Sequence, residues 1–167
     1  MVKGVFPNQM DMNKTIQALK ASHAVGEATN QRVESMAPLT LAYLGDALFE
    51  LFVRDYLIQQ SQTSVHRVHQ RTITYVNAAS QAVMVRHLIP LLTEREADVV
   101  RRGRNGKSGS IPRNADVTEY RYATGFEALL GWLYSRNETS RLLEVMRKAV
   151  DLLEMERMEE SKSHEAI

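Results

Sequence analysis

The chain has 167 residues, enough for one domain with a sizeable core, and its 44% hydrophobic and 25% charged residues are those of an ordinary soluble globular protein. It has no cysteine, which excludes disulfides, zinc–thiolate centres and thiol nucleophiles and fits a cytoplasmic location. No apolar run reaches the roughly 18 residues of a membrane span, and no apolar stretch follows Lys3 as a secretory leader would require.

The net charge of +1 hides an uneven layout. Arg101, Arg102, Arg104, Lys107 and Arg113 lie between Val99 and Asn114 with no acid among them. Acids dominate from Asp151 to Glu160. A one-signed segment that also contains Asn105, Gly103, Gly106 and Gly109 has the charge and the backbone freedom to follow a phosphate backbone.

In chain order, residues 1–35 read as a peripheral, partly flexible extension with one helix. Pro38 suits the first turn of a helix. Residues 39–58 then repeat Leu41, Leu44, Leu48, Leu51 and Phe52 at three- and four-residue spacing, which predicts a helix with one broad apolar face. Residues 65–72 and 75–89 read as two helices or one bent helix, ended by Pro90. Thr93 and Glu96 form a capping-box pattern for a helix beginning at Glu94 and running to Arg102 or Asn105. Residues 106–114 hold two glycines and a proline and read as a loop. Asp116 or Thr118 opens the next helix, which carries Phe126, Leu129, Leu130, Leu133 and Tyr134 at helical spacing. A turn at 137–139 leads to a final amphipathic helix over 140–158, and residues 159–167 form a polar tail that frays. No segment alternates with period two, so the fold class is all-α, with 36–158 as its folded domain.

Two segments carry candidate chemistry. In Ala42-Tyr43-Leu44-Gly45-Asp46-Ala47, an aspartate and a glycine stand inside an apolar helix, where both are poor helix formers. Such local violations mark functional or close-packed positions. Spacing alone leaves a second reading open, in which Gly45 admits a neighbouring helix and Asp46 faces solvent or pairs with Arg54. In Thr124-Gly125-Phe126-Glu127-Ala128-Leu129-Leu130-Gly131, a lone carboxylate again sits among apolar residues, with small residues that let another helix approach. If the two helices pack together, Asp46 and Glu127 could share one hard divalent cation such as Mg²⁺. His66 and His69 lack a third ligand and read as exposed helix residues.

The block from Leu41 to Ala47 resembles the signature helix of ribonuclease III, and Phe126 to Gly131 resembles its second catalytic helix. Val53-Arg54, Val100-Arg101-Arg102-Gly103-Arg104-Asn105, Lys107-Ser108-Gly109, Pro112, Asn114 and Tyr120-Arg121-Tyr122 extend the likeness to the Mini-ribonuclease III branch, over about residues 39–154. The resemblance implies a ribonuclease III-type helical domain that dimerises. It implies Mg²⁺-dependent hydrolysis of double-stranded RNA to 5′-phosphate and 3′-hydroxyl ends, with Asp46 and Glu127 as the catalytic and metal-binding acids. It also implies a role in maturing precursor large-subunit (23S) ribosomal RNA, helped by a large-subunit ribosomal protein. The branch lacks a separate double-stranded-RNA-binding domain.

Departures from full-length ribonuclease III are informative. Two acids of its signature helix are replaced here by Leu39 and Ala42, and an aspartate before its second-helix glutamate is replaced by Thr124. Two carboxylates therefore carry over. Glu50 could add a third acid, although an i,i+4 pair with Arg54 is the favoured reading. Arg101, Arg102, Arg104, Asn105, Lys107 and Arg113 are the expected RNA contacts, and the apolar parts of the signature helix around Phe49 and Phe52 are the expected dimer contacts. Two other readings stay open at this point: a non-catalytic RNA-binding ribosome-assembly factor, and a helical dimerisation module whose two acids are structural.

Overall fold

The structure is a computed structural model and describes residues 9–22, 30–60, 64–106 and 114–165. The described residues form eight α-helices and no strand: α1 (Gln9–Ser22), α2 (Asn30–Glu34), α3 (Pro38–Gln60), α4 (Val65–Val76), α5 (Ala78–Leu88), α6 (Glu94–Arg104), α7 (Val117–Ser135) and α8 (Thr139–Glu165). A 3₁₀ turn at Ile89–Leu91 follows α5 around Pro90. The all-α expectation holds. No described helix is long and apolar enough to cross a membrane.

Helix α7 is the axis of the domain. From Ala123 to Leu133 every residue is buried except Glu127, which is half-buried. A helix apolar all round needs neighbours on every side, and α3, α5, α6 and α8 supply them. The closest approach is between α3 and α7. A methyl group on Gly45 would lie 1.8 Å from the Glu127 carbonyl oxygen, and one on Gly131 would lie 2.0 Å from the Leu41 carbonyl oxygen. The two helices thus touch backbone to backbone at points one turn apart, running antiparallel, and only glycine fits at each point.

Local signals set most helix ends. The Thr93 hydroxyl accepts from the Glu96 amide (3.3 Å) while the Glu96 carboxylate accepts from the Thr93 amide (2.8 Å), which completes the expected capping box. Asp116 caps α7 by accepting from the amides of Thr118 and Glu119 at 2.8 and 2.9 Å. Asn137 closes α7 in the left-handed conformation (φ 63°), with the Glu138 amide donating to the Leu133 carbonyl. Residues 65–88 form two helices broken at Asn77. Its side chain accepts from the Ser80 amide at 2.9 Å and donates to the Ile73 carbonyl at 2.8 Å.

That break falls at Asn77 rather than between residues 72 and 75, and two further regions differ from the sequence reading. The first 35 residues contain two described helices, and both are tied to the domain. Ile16 and Val33 are buried in the core, and Lys20 donates to the Tyr134 carbonyl. Glu34 accepts from Trp132 Nε1 at 3.3 Å and pairs with Arg136 at 3.0 Å. Helix α8 also continues through residues 159–165. It is fastened by Glu154, whose Oε1 accepts from the hydroxyls of Tyr56 (3.1 Å) and Tyr75 (2.8 Å) on α3 and α4.

Candidate active site

Because Gly45 packs on the Glu127 peptide, Asp46 and Glu127 are brought to one place where α3 crosses α7. Asp46 stands at the exposed edge and Glu127 reaches up from the buried axis. Burial, and then the Asp46 charge, raise the Glu127 carboxyl to about 8, against a hydrogen bond from the Gln81 side chain that favours the anion. The Asp46 carboxyl is also raised, by partial desolvation and then by Glu50. These are two acids held together at a cost, and among the described residues no basic side chain offsets the shift of either. That is the electrostatic signature of a site built for a cation. Its donors are hard carboxylate oxygens, one exposed to solvent, which suits an ion such as Mg²⁺ that keeps several of its waters.

The neighbouring acids do not extend the pair. Glu50 forms the i,i+4 ion pair with Arg54 at 2.7 Å. Thr124 is buried, and its hydroxyl donates to the Tyr120 carbonyl at 2.9 Å. Among the described residues no group of three or more His, Cys, Asp or Glu side chains is arranged to hold a metal. His66 and His69 are exposed on α4.

The predicted RNA-contacting residues separate into three sets. Arg101 and Arg102 lie within α6 and are engaged by acids: Arg101 pairs with Asp98, and Arg102 pairs with Asp98 at 3.1 Å and Glu34 at 3.6 Å. They are not free loop cations. Asp98 lies just before the one-signed window and one turn away on the same helix, and Glu34 comes from a distant segment. Arg104 and Asn105 are placed differently. With Thr118, Arg121 and Tyr122 they line an open cleft of about 300 Å³ at the N-terminal end of α7. The Arg104 guanidinium lies 5.3 Å from the Tyr122 ring centre and donates to its hydroxyl at 3.2 Å, and Arg86 lies over the same ring at 4.7 Å. Lys107 and Arg113 lie outside the described residues.

The ribonuclease III domain model matches residues 39–138. A Mini-ribonuclease 3 of Symbiobacterium thermophilum is 50% identical over 120 residues, covering 72% of this chain and 92% of that one. One from Clostridium tetani is 42% identical over 139 residues, covering 83% and 92%. The chain belongs to the Mini-ribonuclease III family. Among solved structures, a Fusobacterium nucleatum protein superposes with a TM-score of 0.64 at 28% identity, covering 70% of this chain and 93% of its own. As a Mini-ribonuclease III, the chain is an endoribonuclease.

Within this Mini-ribonuclease III, one neighbour of the acid pair escaped the sequence reading. Gln81 on α5 is 1% exposed and touches Glu127. Its only signal was an uncharged polar side chain in a helix whose other inward residues are mostly apolar. The expected dimer contacts need correction. Phe49 and Phe52 are 0% and 5% exposed inside this protomer's own core, with the Phe49 ring edge-on to Phe126 at 5.1 Å. They are not available to a second chain. The outward apolar side chains of α3 are Tyr43, Leu51 and Ile58.

Proposed function

We propose that this endoribonuclease hydrolyses double-stranded RNA with Mg²⁺ held by Asp46 and Glu127, acts as a cytoplasmic homodimer, and matures precursor 23S ribosomal RNA. The observation that carries the reading is the convergence of two carboxylates from α3 and α7, in a protein whose α7 also opens on a basic, partly aromatic cleft. Bound Mg²⁺ would lower the pKa of a coordinated water and offset charge building on the phosphate oxygens. Asp46, at the exposed edge, is placed to bind where RNA arrives, and Glu127 anchors from the protein side. Hydrolysis leaves a 5′-phosphate and a 3′-hydroxyl.

Duplex RNA offers phosphates, 2′-hydroxyls and a shallow minor groove rather than a sequence code. Arg104, Asn105 and Arg121 suit such contacts, and arginine grips phosphate through paired N–H donors. Lys107 and Arg113 would add to them from the segment that follows α6 in the sequence. Arg101 and Arg102 belong to the same basic end and contribute after exchanging their acid partners. Cutting both strands of a duplex calls for two sites related by a two-fold axis. Tyr43, 87% exposed and three residues from Asp46 on α3, supports placing the dimer contact beside the site. A large-subunit ribosomal protein that folds the precursor would present the duplex to it.

The experiment is to add the purified protein to precursor 23S RNA, with and without large-subunit ribosomal proteins, and to map the new ends. The reading expects paired cuts in a helical stem with 5′-phosphate ends, enhanced by a bound ribosomal protein. Cuts confined to unpaired segments, or ends carrying 3′-phosphate, would contradict it.

A further inference from the structure

Among the described residues, Gln81 is a polar side chain buried against Glu127 whose bonding is incomplete. It lies on α5, 1% exposed, where a glutamine is expensive to bury unless its amide is satisfied. Its Nε2 donates to the Val76 carbonyl at 3.1 Å, at the end of α4, and the same amide lies beside the Glu127 carboxylate, where it favours the anion. One amide hydrogen is thereby used, and a second remains for the carboxylate. The Oε1 is buried and has no partner. By covalent geometry it lies within about 2.3 Å of Nε2 and so stays close to the Glu127 carboxylate.

Core packing alone does not explain this choice. A methionine or leucine would fill a similar volume without leaving an orphan acceptor. The bond to Val76 holds the amide against the rigid α4–α5 corner that Asn77 creates. The other N–H is then available to orient Glu127. Once Glu127 is ionised, as a ligand to a cation must be, it has no O–H to give the spare oxygen, and a metal-bound water is a donor that can take that place.

We propose that Gln81 is a positioning residue of the metal site: it orients the Glu127 carboxylate and receives a hydrogen bond from water on the bound cation. This rests on the reading of Glu127 as a metal ligand. Groups beside a metal ligand, fixed by their own hydrogen bonds, commonly matter tenfold or more to metal affinity.

The test uses the full chain and two variants, Gln81→Met, which keeps the length, and Gln81→Ala, which leaves space. Mn²⁺ binding to the RNA-free protein is followed by the electron-paramagnetic-resonance signal of the free ion, alongside thermal melting and the Mg²⁺ concentration for half-maximal duplex cleavage. Both variants are expected to bind Mn²⁺ about tenfold more weakly. They should need correspondingly more Mg²⁺, approach the wild-type rate at saturating Mg²⁺, and bind duplex RNA normally in Ca²⁺. A role in packing alone would lower the melting temperature and leave metal affinity unchanged, and that result overturns the proposal. Glu127→Gln is the control. If it still binds Mn²⁺ like the wild type, the metal-site reading itself fails. If it loses Mn²⁺ while the Gln81 variants do not, only the role of Gln81 fails.

Discussion

Glu127 carries a carboxyl raised to about 8 from an ordinary value of 4.5, so at neutral pH the metal-free protein holds much of it protonated. The folded state therefore binds more protons than the unfolded chain between those two values. From this group, stability is greatest below about 4.5 and falls as pH rises through 8. Melting in EDTA should show that decline, and Glu127→Gln should flatten it. Added Mg²⁺ should raise the wild-type melting temperature more at pH 8.5 than at pH 6, because a cation displaces the proton. Asp46→Asn keeps the shape and removes the charge. It should bind duplex RNA in Ca²⁺ as the wild type does and lose Mg²⁺-dependent cleavage, as gel-shift and cleavage assays would show. Asp46 and Gly45 were legible in the sequence because each is a poor helix former inside an apolar helix, and Glu127 because it is a lone carboxylate among apolar residues. Gln81 was not, since its importance depends on α5 meeting α7, a contact no local pattern encodes.

Helices were legible where their ends are set by neighbours in sequence. The Thr93–Glu96 box and the Asp116 cap were readable from a few residues each, and Thr93→Ala should cost about 1 kcal/mol in denaturant melts with the cleavage rate unchanged. Asn77 was missed as a break because its cap is a single residue between two helices. The standing of α1, α2 and the basic end of α6 was also hidden. Glu34 finds Arg102, Arg136 and Trp132 only after the chain folds. That pairing changes the expectation for α6. Replacing Arg104 and Arg121 with alanine should lower the salt dependence of duplex binding by somewhat under one unit in slope per lost phosphate contact. Replacing Arg101 and Arg102 should change it less and should lower stability, because Asp98 and Glu34 lose partners. Titrations at several salt concentrations in Ca²⁺ would separate the two pairs, and equal slopes for all variants would remove this end of α6 from the RNA interface.

At the scale of the molecule, the helical class and the meeting of its two motif-bearing helices followed from apolar spacing and small residues. The outward surface did not, because Phe49 and Tyr43 look alike in a sequence and differ only in which side of α3 faces α7. The 19.0 kDa chain should sediment as a dimer. Tyr43→Asp should shift it towards monomer and turn double-strand cuts into single-strand nicks. Unchanged sedimentation would move the contact elsewhere. The central claim is that the Asp46–Glu127 pair holds the ion that cuts duplex RNA. Its most direct measurement is the initial cleavage rate of a long, end-labelled RNA duplex as Mg²⁺ is raised from EDTA to saturation, for the wild type, Asp46→Asn and Glu127→Gln side by side. The account predicts a saturable rise for the wild type and flat, background rates for both variants, with the single-stranded form of the RNA left intact by all three. Cleavage by the wild type in EDTA, or a normal Mg²⁺ response in either variant, would contradict it.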